Sequence, residues 1–275
     1  MRLVSYRSER GPRAGIQTGD GIADAWDALG GGGATLRELL ASGRLEDLAG
    51  AEPGPPLRGE LLPPVPDPGK IVCIGLNYRA HAAEAGLEPP RSPTFFAKFA
   101  NALAAPGATV RLPAASRKVD FEAEVAFVVG RRVREVAEDD ALEHVAGLML
   151  FNDLSARDLQ FATPQWMPGK VFDGSAPCGP ALVTLDEAGP VDAIEFTLTL
   201  NGELMQSAST DDLIFSIPAL VSHLSRLMTL EPGDVVATGT PAGVGSTREP
   251  RVWLAPGDEI VISSPQLGEL RTAIG

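Results

Sequence analysis

The sequence predicts an α+β fold that is rich in β-strands and divided into two domains. Short apolar segments of strand character outnumber the helical segments, which favours a mixed β-roll or sandwich over residues 69–275. A proline-rich stretch from Pro53 to Pro68 has the composition of an extended linker. We therefore expect a small N-terminal α+β domain over residues 1–68, which includes this linker.

Composition limits the class of protein. The chain has 275 residues, enough for a sizeable core, and its 44% hydrophobic and 21% charged residues are ordinary for a globular protein. A formal net charge of −13 without a basic patch argues against a nucleic-acid partner. We find no transmembrane or signal-peptide pattern, and Cys73 and Cys178 lack metal or redox spacing. These features predict a cytoplasmic protein without a membrane partner.

The N-terminal segment carries structural signals and no chemistry. Residues 2–6 and 14–17 have strand character. Residues 35–48 have leucines near helical spacing, with Thr35 as a candidate N-cap, and Gly43 favours a break into two short helices. The acidic side chains of this segment are scattered, and it contains no histidine.

A strand over residues 70–75 leads into an alanine-rich helix over residues 76–86. His81 and Glu84 are three residues apart, so they share one face of this helix and can touch. A carboxylate that orients an imidazole is the usual arrangement of a general base. The alternative is an ordinary ion pair on the surface of a helix.

The next strand, over residues 95–99, contains a single lysine. Lys98 points to the opposite face from its apolar neighbours Ala97 and Phe99, and the simplest interpretation is a solvated lysine. The proline-rich residues before this strand favour a mobile lid, which would carry His81 over a site.

Two glutamates stand at the leading end of a buried strand. Residues 125–130 are apolar, and Glu122 and Glu124 precede them two residues apart, which places both side chains on one face. Adjacent buried carboxylates repel each other unless a cation lies between them, and a divalent ion is the simplest such cation. The alternative is a solvated strand end with two surface acids.

A third carboxylate follows another apolar run. Asp153 comes directly after residues 148–151, where it is either a ligand or the N-cap of a helix that starts near Ser155. Asn152 or Ser155 could provide that cap instead. Three carboxylates with waters suit Mg²⁺ or Mn²⁺ better than Zn²⁺, which prefers histidine and cysteine.

Three later features add to the pattern. Lys170 lies in an aromatic, proline-punctuated loop, where a fixed ammonium could stabilise negative charge on a substrate oxygen or balance the carboxylates. Residues 194–200 alternate and reach a hairpin turn at Asn201 and Gly202. Residues 239–245 form a glycine-rich loop whose backbone N–H groups can approach an anionic ligand.

From residue 70 to the C-terminus the chain resembles the fumarylacetoacetate hydrolase family. The matching motifs, in chain order, are Ile74-Gly75-Leu76-Asn77-Tyr78 with His81 and Glu84, Asp120-Phe121-Glu122-Ala123-Glu124, Asn152-Asp153 with Ser155-Ala156-Arg157-Asp158-Leu159-Gln160, Gly169-Lys170 with Phe172-Asp173, and Gly239-Thr240-Pro241-Ala242-Gly243-Val244-Gly245. So many agreements in one order are not expected by chance. The helix motif is most similar to acylpyruvate hydrolases and to the 2-hydroxyhepta-2,4-diene-1,7-dioate isomerases of aromatic catabolism.

This resemblance implies a β-roll catalytic domain, a homodimer and a bound Mg²⁺ or Mn²⁺. The implied metal ligands are Glu122, Glu124 and Asp153. The implied catalytic residues are the dyad of His81 and Glu84, on a lid, and Lys170 beside the metal. The positions that match substrate-facing residues are Arg157, Gln160 and Thr240.

The resemblance also implies the chemistry. Family substrates are similar to 2-oxo acids with a second carbonyl or double bond, so the main prediction is a metal-dependent hydrolase that cleaves a C–C bond of a 2,4-dioxo acid such as an acylpyruvate or fumarylpyruvate. In such a hydrolase, His81 oriented by Glu84 would deprotonate the attacking water. The alternative is an isomerase, hydratase or decarboxylase of a related 2-oxo or 2-hydroxydienoic acid. A catalytically silent relative is disfavoured, because the full set of site residues is present.

Overall fold

The computed structural model describes residues 1–275, which form mainly β-strands. The strands are β1 (Arg2–Ser8), β2 (Gly11–Thr18), β3 (Gly21–Asp24), β4 (Leu61–Leu62), β5 (Ile71–Gly75), β6 (Thr94–Lys98), β7 (Leu103–Ala104), β8 (Thr109–Val110), β9 (Val119–Asp120), β10 (Ala123–Val129), β11 (Val145–Asn152), β12 (Ser155–Ala156), β13 (Ala176–Thr184), β14 (Glu195–Leu200), β15 (Glu203–Ser209), β16 (Val235–Ala237), β17 (Glu259–Ser264) and β18 (Gly268–Ile274). This strand-rich architecture confirms the predicted fold class.

The helices are short. The α-helices are α1 (Ala25–Ala28), α2 (Leu36–Ser42), α3 (Leu45–Ala49), α4 (Arg79–Glu84), α5 (Arg157–Gln160), α6 (Leu185–Ala188) and α7 (Ile217–Leu227). The 3₁₀-helices are Ala100–Ala102, Glu138–His144, Met167–Gly169, Thr210–Asp212 and Gly245–Thr247. None of these helices has the length and apolarity needed to cross a membrane.

Most strands belong to one large sheet. Its order is β3-β2-β1-β13-β11-β10-β16-β5-β6, with β4 beside β1 and β7 beside β13. A second sheet has the order β15-β14-β17-β18-β8, and β9 pairs with β12. The predicted hairpin between β14 and β15 turns at Asn201 and Gly202, which both have positive φ, as the favoured two-residue turn requires.

Two hydrophobic cores lie on opposite faces of the large sheet. Strand β10 contributes to both, because Val125 and Phe127 belong to one core and Ala126 and Val128 to the other. The first core also contains the apolar side chains of the second sheet, and the second core contains the leucines of α2. Burial on both faces explains why β10 is apolar over nearly its whole length.

The N-terminal segment adds strands and helices to this framework. Strand β1 pairs with β13 through Leu3 and Leu182, so it extends the large sheet. Thr35 is the N-cap of helix α2 and forms a capping box, and Gly43, in the left-handed conformation, is its C-cap. The predicted break at Gly43 is therefore confirmed, while the domain boundary near residue 68 stays a prediction.

The large sheet curls, and this curl builds the site. Lys98 ends β6, and its Nζ lies 2.8 Å from Oδ1 of Asp153, directly after β11. Strands β6 and β11 are four places apart in the sheet, a separation of about 19 Å if the sheet were flat. The short ion pair therefore requires the sheet to roll over and bring these strand ends together.

Candidate active site

Three buried carboxylates meet where β10 begins and β11 ends. Glu124 lies on β10, Glu122 stands two residues before it, and Asp153 follows β11. The backbone N–H of Asp153 donates to the carbonyl oxygen of Glu122 at 2.9 Å, which fixes the two segments side by side. Carboxylate oxygens of all three residues lie within 4.8 Å of one another. These glutamates are therefore not solvated surface acids, and Asp153 caps no helix, because α5 begins after Ala156 without a side-chain cap.

Cations neutralise two of these carboxylates. Nζ of Lys170 donates to Oε2 of Glu122 at 2.7 Å and to Oδ2 of Asp153 at 2.8 Å. The Arg157 guanidinium lies 2.6 Å from Oε1 of Glu122 and 2.8 Å from Oδ2 of Asp120. Burial alone raises the pKa of the Glu122 carboxyl, but Arg157 and Lys170 outweigh burial and lower this pKa to about 2.

Glu124 is the carboxylate without a cation. It is 1% exposed, and its Oε2 accepts the N–H of Gly239 at 2.9 Å, while the ion pairs of the cluster involve Glu122 and Asp153. Burial, followed by the negative charges of Asp153 and Glu122, raises the pKa of Glu124 well above its ordinary value of 4.5. A carboxylate in this environment lacks a compensating positive charge.

The donor set fits the predicted Mg²⁺ or Mn²⁺. All the donors are carboxylate oxygens, which hard divalent cations prefer. When Asp120 is counted, four buried carboxylates stand against the three buried cations of Lys98, Arg157 and Lys170. A divalent ion would leave this cluster with a net positive charge, which attracts an anionic substrate. The assignment of Glu122, Glu124 and Asp153 as ligands stays a prediction.

Sequence reasoning missed Lys98. Its interpretation as a solvated lysine is wrong, because Lys98 is 2% exposed and its apolar neighbour Phe99 is 52% exposed. Besides Asp153, the Lys98 ammonium contacts the backbone oxygen of Ser175 at 2.9 Å and its Oγ at 3.0 Å. Lys98 and Phe99 do point to opposite faces of the strand, as predicted. Alternation alone does not show which of the two faces is buried, because a buried ion pair can take the place of apolar packing.

We expect Lys98→Met to destabilise the protein by about 3–5 kcal/mol, because the buried Asp153 and the carbonyl group of Ser175 lose their partner. Urea denaturation of the metal-free protein measures this change. Lys118→Met, at an exposed lysine, is the matched control and should change the free energy of unfolding by less than about 0.5 kcal/mol. A similar loss in both variants would mean that the Lys98 ion pair contributes nothing.

His81 and Glu84 form the predicted pair on α4. Nδ1 of His81 lies 3.1 Å from Oε2 of Glu84, and Oε1 of Glu84 accepts the N–H of Gly243 at 2.9 Å. With Nδ1 bound to a carboxylate, the hydrogen resides on Nδ1 and Nε2 keeps the lone pair that a general base needs. The chain before α4 is held by the fully buried Asn77, whose Oδ1 accepts the N–H of Phe215 at 2.8 Å.

The glycine-rich loop binds carboxylates that belong to the protein itself. The N–H of Gly239 donates to Glu124, that of Gly243 donates to Glu84, and that of Gly245 donates to Asp120 at 2.7 Å. We predicted that these N–H groups approach an anionic ligand, whereas their observed acceptors are side chains. The loop therefore connects the carboxylate cluster with the histidine pair.

One cavity of about 260 Å³ unites the predicted site residues. Those that line it are His81, Glu122, Glu124, Asp153, Arg157, Gln160, Lys170 and Thr240. Glu84 is absent from the wall and joins the site through its bond to His81. The Oε1 atom of Gln160 accepts from Arg157, and the Thr240 hydroxyl donates to the backbone oxygen of Ala123. The catalytic and substrate-binding roles of these residues stay predictions.

Comparisons with known proteins match most or all of the chain. Residues 70–275 match the family model described as fumarylacetoacetate (FAA) hydrolase C-terminal. A Bos taurus protein named oxaloacetate tautomerase FAHD2B, mitochondrial, is 39% identical over 282 residues, which cover 98% of this chain and 90% of that protein. A solved protein structure from Mycobacterium smegmatis has a TM-score of 0.92 at 39% identity, and the match covers 100% of this chain and 99% of that chain. Fumarylacetoacetate hydrolase (EaFAH) from Exiguobacterium antarcticum has a TM-score of 0.87 at 33% identity, with coverage of 100% and 99%.

Proposed function

Because the chain belongs to the fumarylacetoacetate hydrolase family, as its motifs predict, we propose that it is a divalent-metal-dependent enzyme that moves a proton at the carbon next to the 2-oxo group of a small 2-oxo acid. The favoured reaction is keto–enol tautomerisation, and the name of the bovine relative makes oxaloacetate the first substrate to test. The observation that carries the proposal is the meeting of a carboxylate-bound histidine and three buried carboxylates at one cavity.

The side chains of this chain supply the proton transfer. A divalent ion on the three carboxylates would polarise the carboxylate and 2-oxo oxygens of the substrate and so acidify the hydrogens on C3. Nε2 of His81 takes a proton from C3 and returns it to the 2-oxo oxygen, and the reverse transfer converts the enol to the ketone. Glu84 holds the imidazole in place and stabilises its protonated form.

Lys170 stabilises the charge that develops on the 2-oxo oxygen. Burial lowers the pKa of its ammonium, but Asp153 and Glu122 outweigh burial and raise this pKa above its ordinary value of 10.5. At neutral pH the side chain of the metal-free protein is therefore positively charged, and it can donate a hydrogen bond to that oxygen.

Hydrolysis of a C–C bond is the second candidate, and the same histidine pair supports it. His81 could deprotonate a water instead of C3, and the hydroxide would attack the C4 carbonyl of a 2,4-dioxo acid. The C3–C4 bond then breaks, C4 becomes a carboxylic acid, and C3 leaves with the electron pair as an enolate of pyruvate that takes up a proton. Both reactions pass through an enolate and differ in whether water takes part.

We expect Mg²⁺ or Mn²⁺ to accelerate the decay of enol-oxaloacetate absorbance by at least about 100-fold, and excess EDTA to restore the uncatalysed rate. Exchange of the C3 hydrogens with deuterium, followed by NMR, reports the same proton transfer. EDTA-sensitive release of pyruvate and acetate from acetylpyruvate, without the first two effects, would replace tautomerisation by hydrolysis. Failure of both reactions with metal bound would contradict both candidates.

We also propose that the enzyme is a homodimer and resides in the cytoplasm. The first proposal rests on the family resemblance, and the second on the composition of the chain. The name of the bovine relative places that protein in mitochondria.

A further inference from the structure

One side of the active-site cavity is a fixed aromatic wall that the proposed mechanism does not use. Nζ of Lys170 lies 5.0 Å from the ring centre of Phe96, and Phe96 packs edge to face against Trp166 with ring centres 5.9 Å apart. A Cβ at Gly75 would lie 2.3 Å from the Trp166 ring, so the indole lies directly against the backbone of Gly75. The wall therefore starts at the ammonium beside the carboxylates and extends away from it.

Two exposed apolar side chains continue this wall at the opening of the cavity. Phe161, directly after α5, is 67% exposed, and Leu87, three residues after α4, is 55% exposed, and both line the cavity. Large apolar side chains that remain exposed next to a cavity are typical of a surface that a ligand covers. All four side chains line the same cavity as the carboxylate cluster, so an apolar group that extends from this cluster can contact them.

The cavity offers no free cation to a second carboxylate of a substrate. Lys170 and Arg157 each contact two carboxylates, and His81 is bound to Glu84. No other lysine, arginine or histidine lines the cavity. A carboxylate at the far end of the substrate would lose its hydration against apolar side chains without gaining an ion pair.

We propose that Phe96, Trp166, Phe161 and Leu87 form an apolar subsite that binds an alkyl or aryl tail of the substrate. The preferred substrates are then 2-oxo acids with an apolar tail. This inference rests on the proposed function, because it places the 2-oxo acid head at the carboxylate cluster. It makes oxaloacetate, whose tail is a carboxylate, a poorer ligand than an acid of the same shape with a branched alkyl tail.

The test compares 5-methyl-2-oxohexanoate with 2-oxoglutarate, which share the head and spacer and differ in an isopropyl or a carboxylate tail. Calorimetric titration of the Mn²⁺-loaded protein measures their binding without turnover. We expect the branched acid to bind about tenfold more tightly. Equal binding, or tighter binding of 2-oxoglutarate, would overturn the apolar subsite.

Binding of oxalate distinguishes a failure of the subsite from a failure of the proposed function, because oxalate has the chelating head of the substrate but no tail. Oxalate binding together with a preference for the branched acid supports the subsite. Oxalate binding without that preference overturns the subsite alone. Failure of oxalate to bind overturns the placement of the head, and with it both the proposed function and this inference.

Variants of Phe161 test whether the side chains of the apolar subsite cause the preference for the branched acid. Phe161→Ser should weaken binding of the branched acid about fivefold and leave oxalate binding unchanged, since Phe161 is exposed and its loss removes little packing. Leu204→Ser is the matched control, because Leu204 is comparably exposed but lies on β15 outside the cavity. Phe161→Arg supplies the missing cation and should shift the preference toward 2-oxoglutarate. Equal losses for oxalate and the branched acid in Phe161→Ser would overturn the assignment.

Discussion

Glu124→Gln should abolish the binding of Mn²⁺ and at the same time stabilise the metal-free protein. The Glu124 carboxylate is buried beside two other carboxylates and has no cation partner. Glutamine has nearly the same shape as glutamate, and the oxygen of its side-chain amide can still accept the N–H of Gly239. We expect the melting temperature of the metal-free variant to rise by at least about 2 °C, the shift that ~1 kcal/mol gives in a protein of this size.

Calorimetric scans of both proteins, with EDTA and with saturating Mn²⁺, check the two effects. In the wild type, the ion should add about 2.7 kcal/mol of stability at 100 times its dissociation constant, and the variant should lose this response. Glu143→Gln, at an exposed glutamate, should change neither quantity. A lower melting temperature in EDTA would contradict the unpaired state of Glu124, and a retained Mn²⁺ response would contradict its role as a ligand.

The difference in stability between the wild type and Glu124→Gln should depend on pH. Folding raises the pKa of Glu124 above its ordinary value of 4.5. As pH rises above that value, the unfolded chain loses this proton first, so the contribution of Glu124 to stability falls. The pKa of Glu122, about 2, shifts in the opposite direction, but both proteins contain Glu122, and to first order its effect cancels. The advantage of Glu124→Gln in EDTA should therefore grow as pH rises from 4.5 toward neutrality.

Local sequence patterns were sufficient for the elements that depend on neighbouring residues. The break between α2 and α3 was predictable because Gly43 ends a helix that the Thr35 cap begins. The hairpin at Asn201 and Gly202 was predictable because the two-residue turn requires a positive φ at both positions, which asparagine and glycine adopt readily. Both features arise within a few residues and need no knowledge of the tertiary structure.

Contacts between distant segments explain what the sequence left open. The role of Lys98 depends on the curl of the large sheet, which brings its ammonium to Asp153. Asp120 is part of a family motif, but the sequence alone predicts no role for it. In the structure, Asp120 is fully buried and accepts the N–H groups of Gly245 and Ser246. Neither position departs from the pattern of a strand end, so periodicity could not separate these residues from solvated ones.

His81→Ala should lower kcat by about 10²–10⁴-fold and leave the dissociation constant of Mn²⁺ unchanged. The histidine lines the cavity and supplies the proton acceptor, but it is not one of the clustered carboxylates. Stopped-flow measurement of enol-oxaloacetate decay gives kcat, and calorimetry gives the dissociation constant. A loss of Mn²⁺ binding would mean that His81 is part of the metal site, and undiminished turnover would place the base elsewhere.

Glu84→Gln separates orientation from charge within the pair. Glutamine retains the shape of the side chain and can still accept the N–H of Gly243, but it cannot stabilise a protonated imidazole. We therefore expect kcat to fall about tenfold, a smaller loss than in His81→Ala. Glu88→Gln, an exposed acid beyond the same helix, is the control. An undiminished kcat would mean that Glu84 acts by holding the loop at Gly243 and not by stabilising the protonated imidazole.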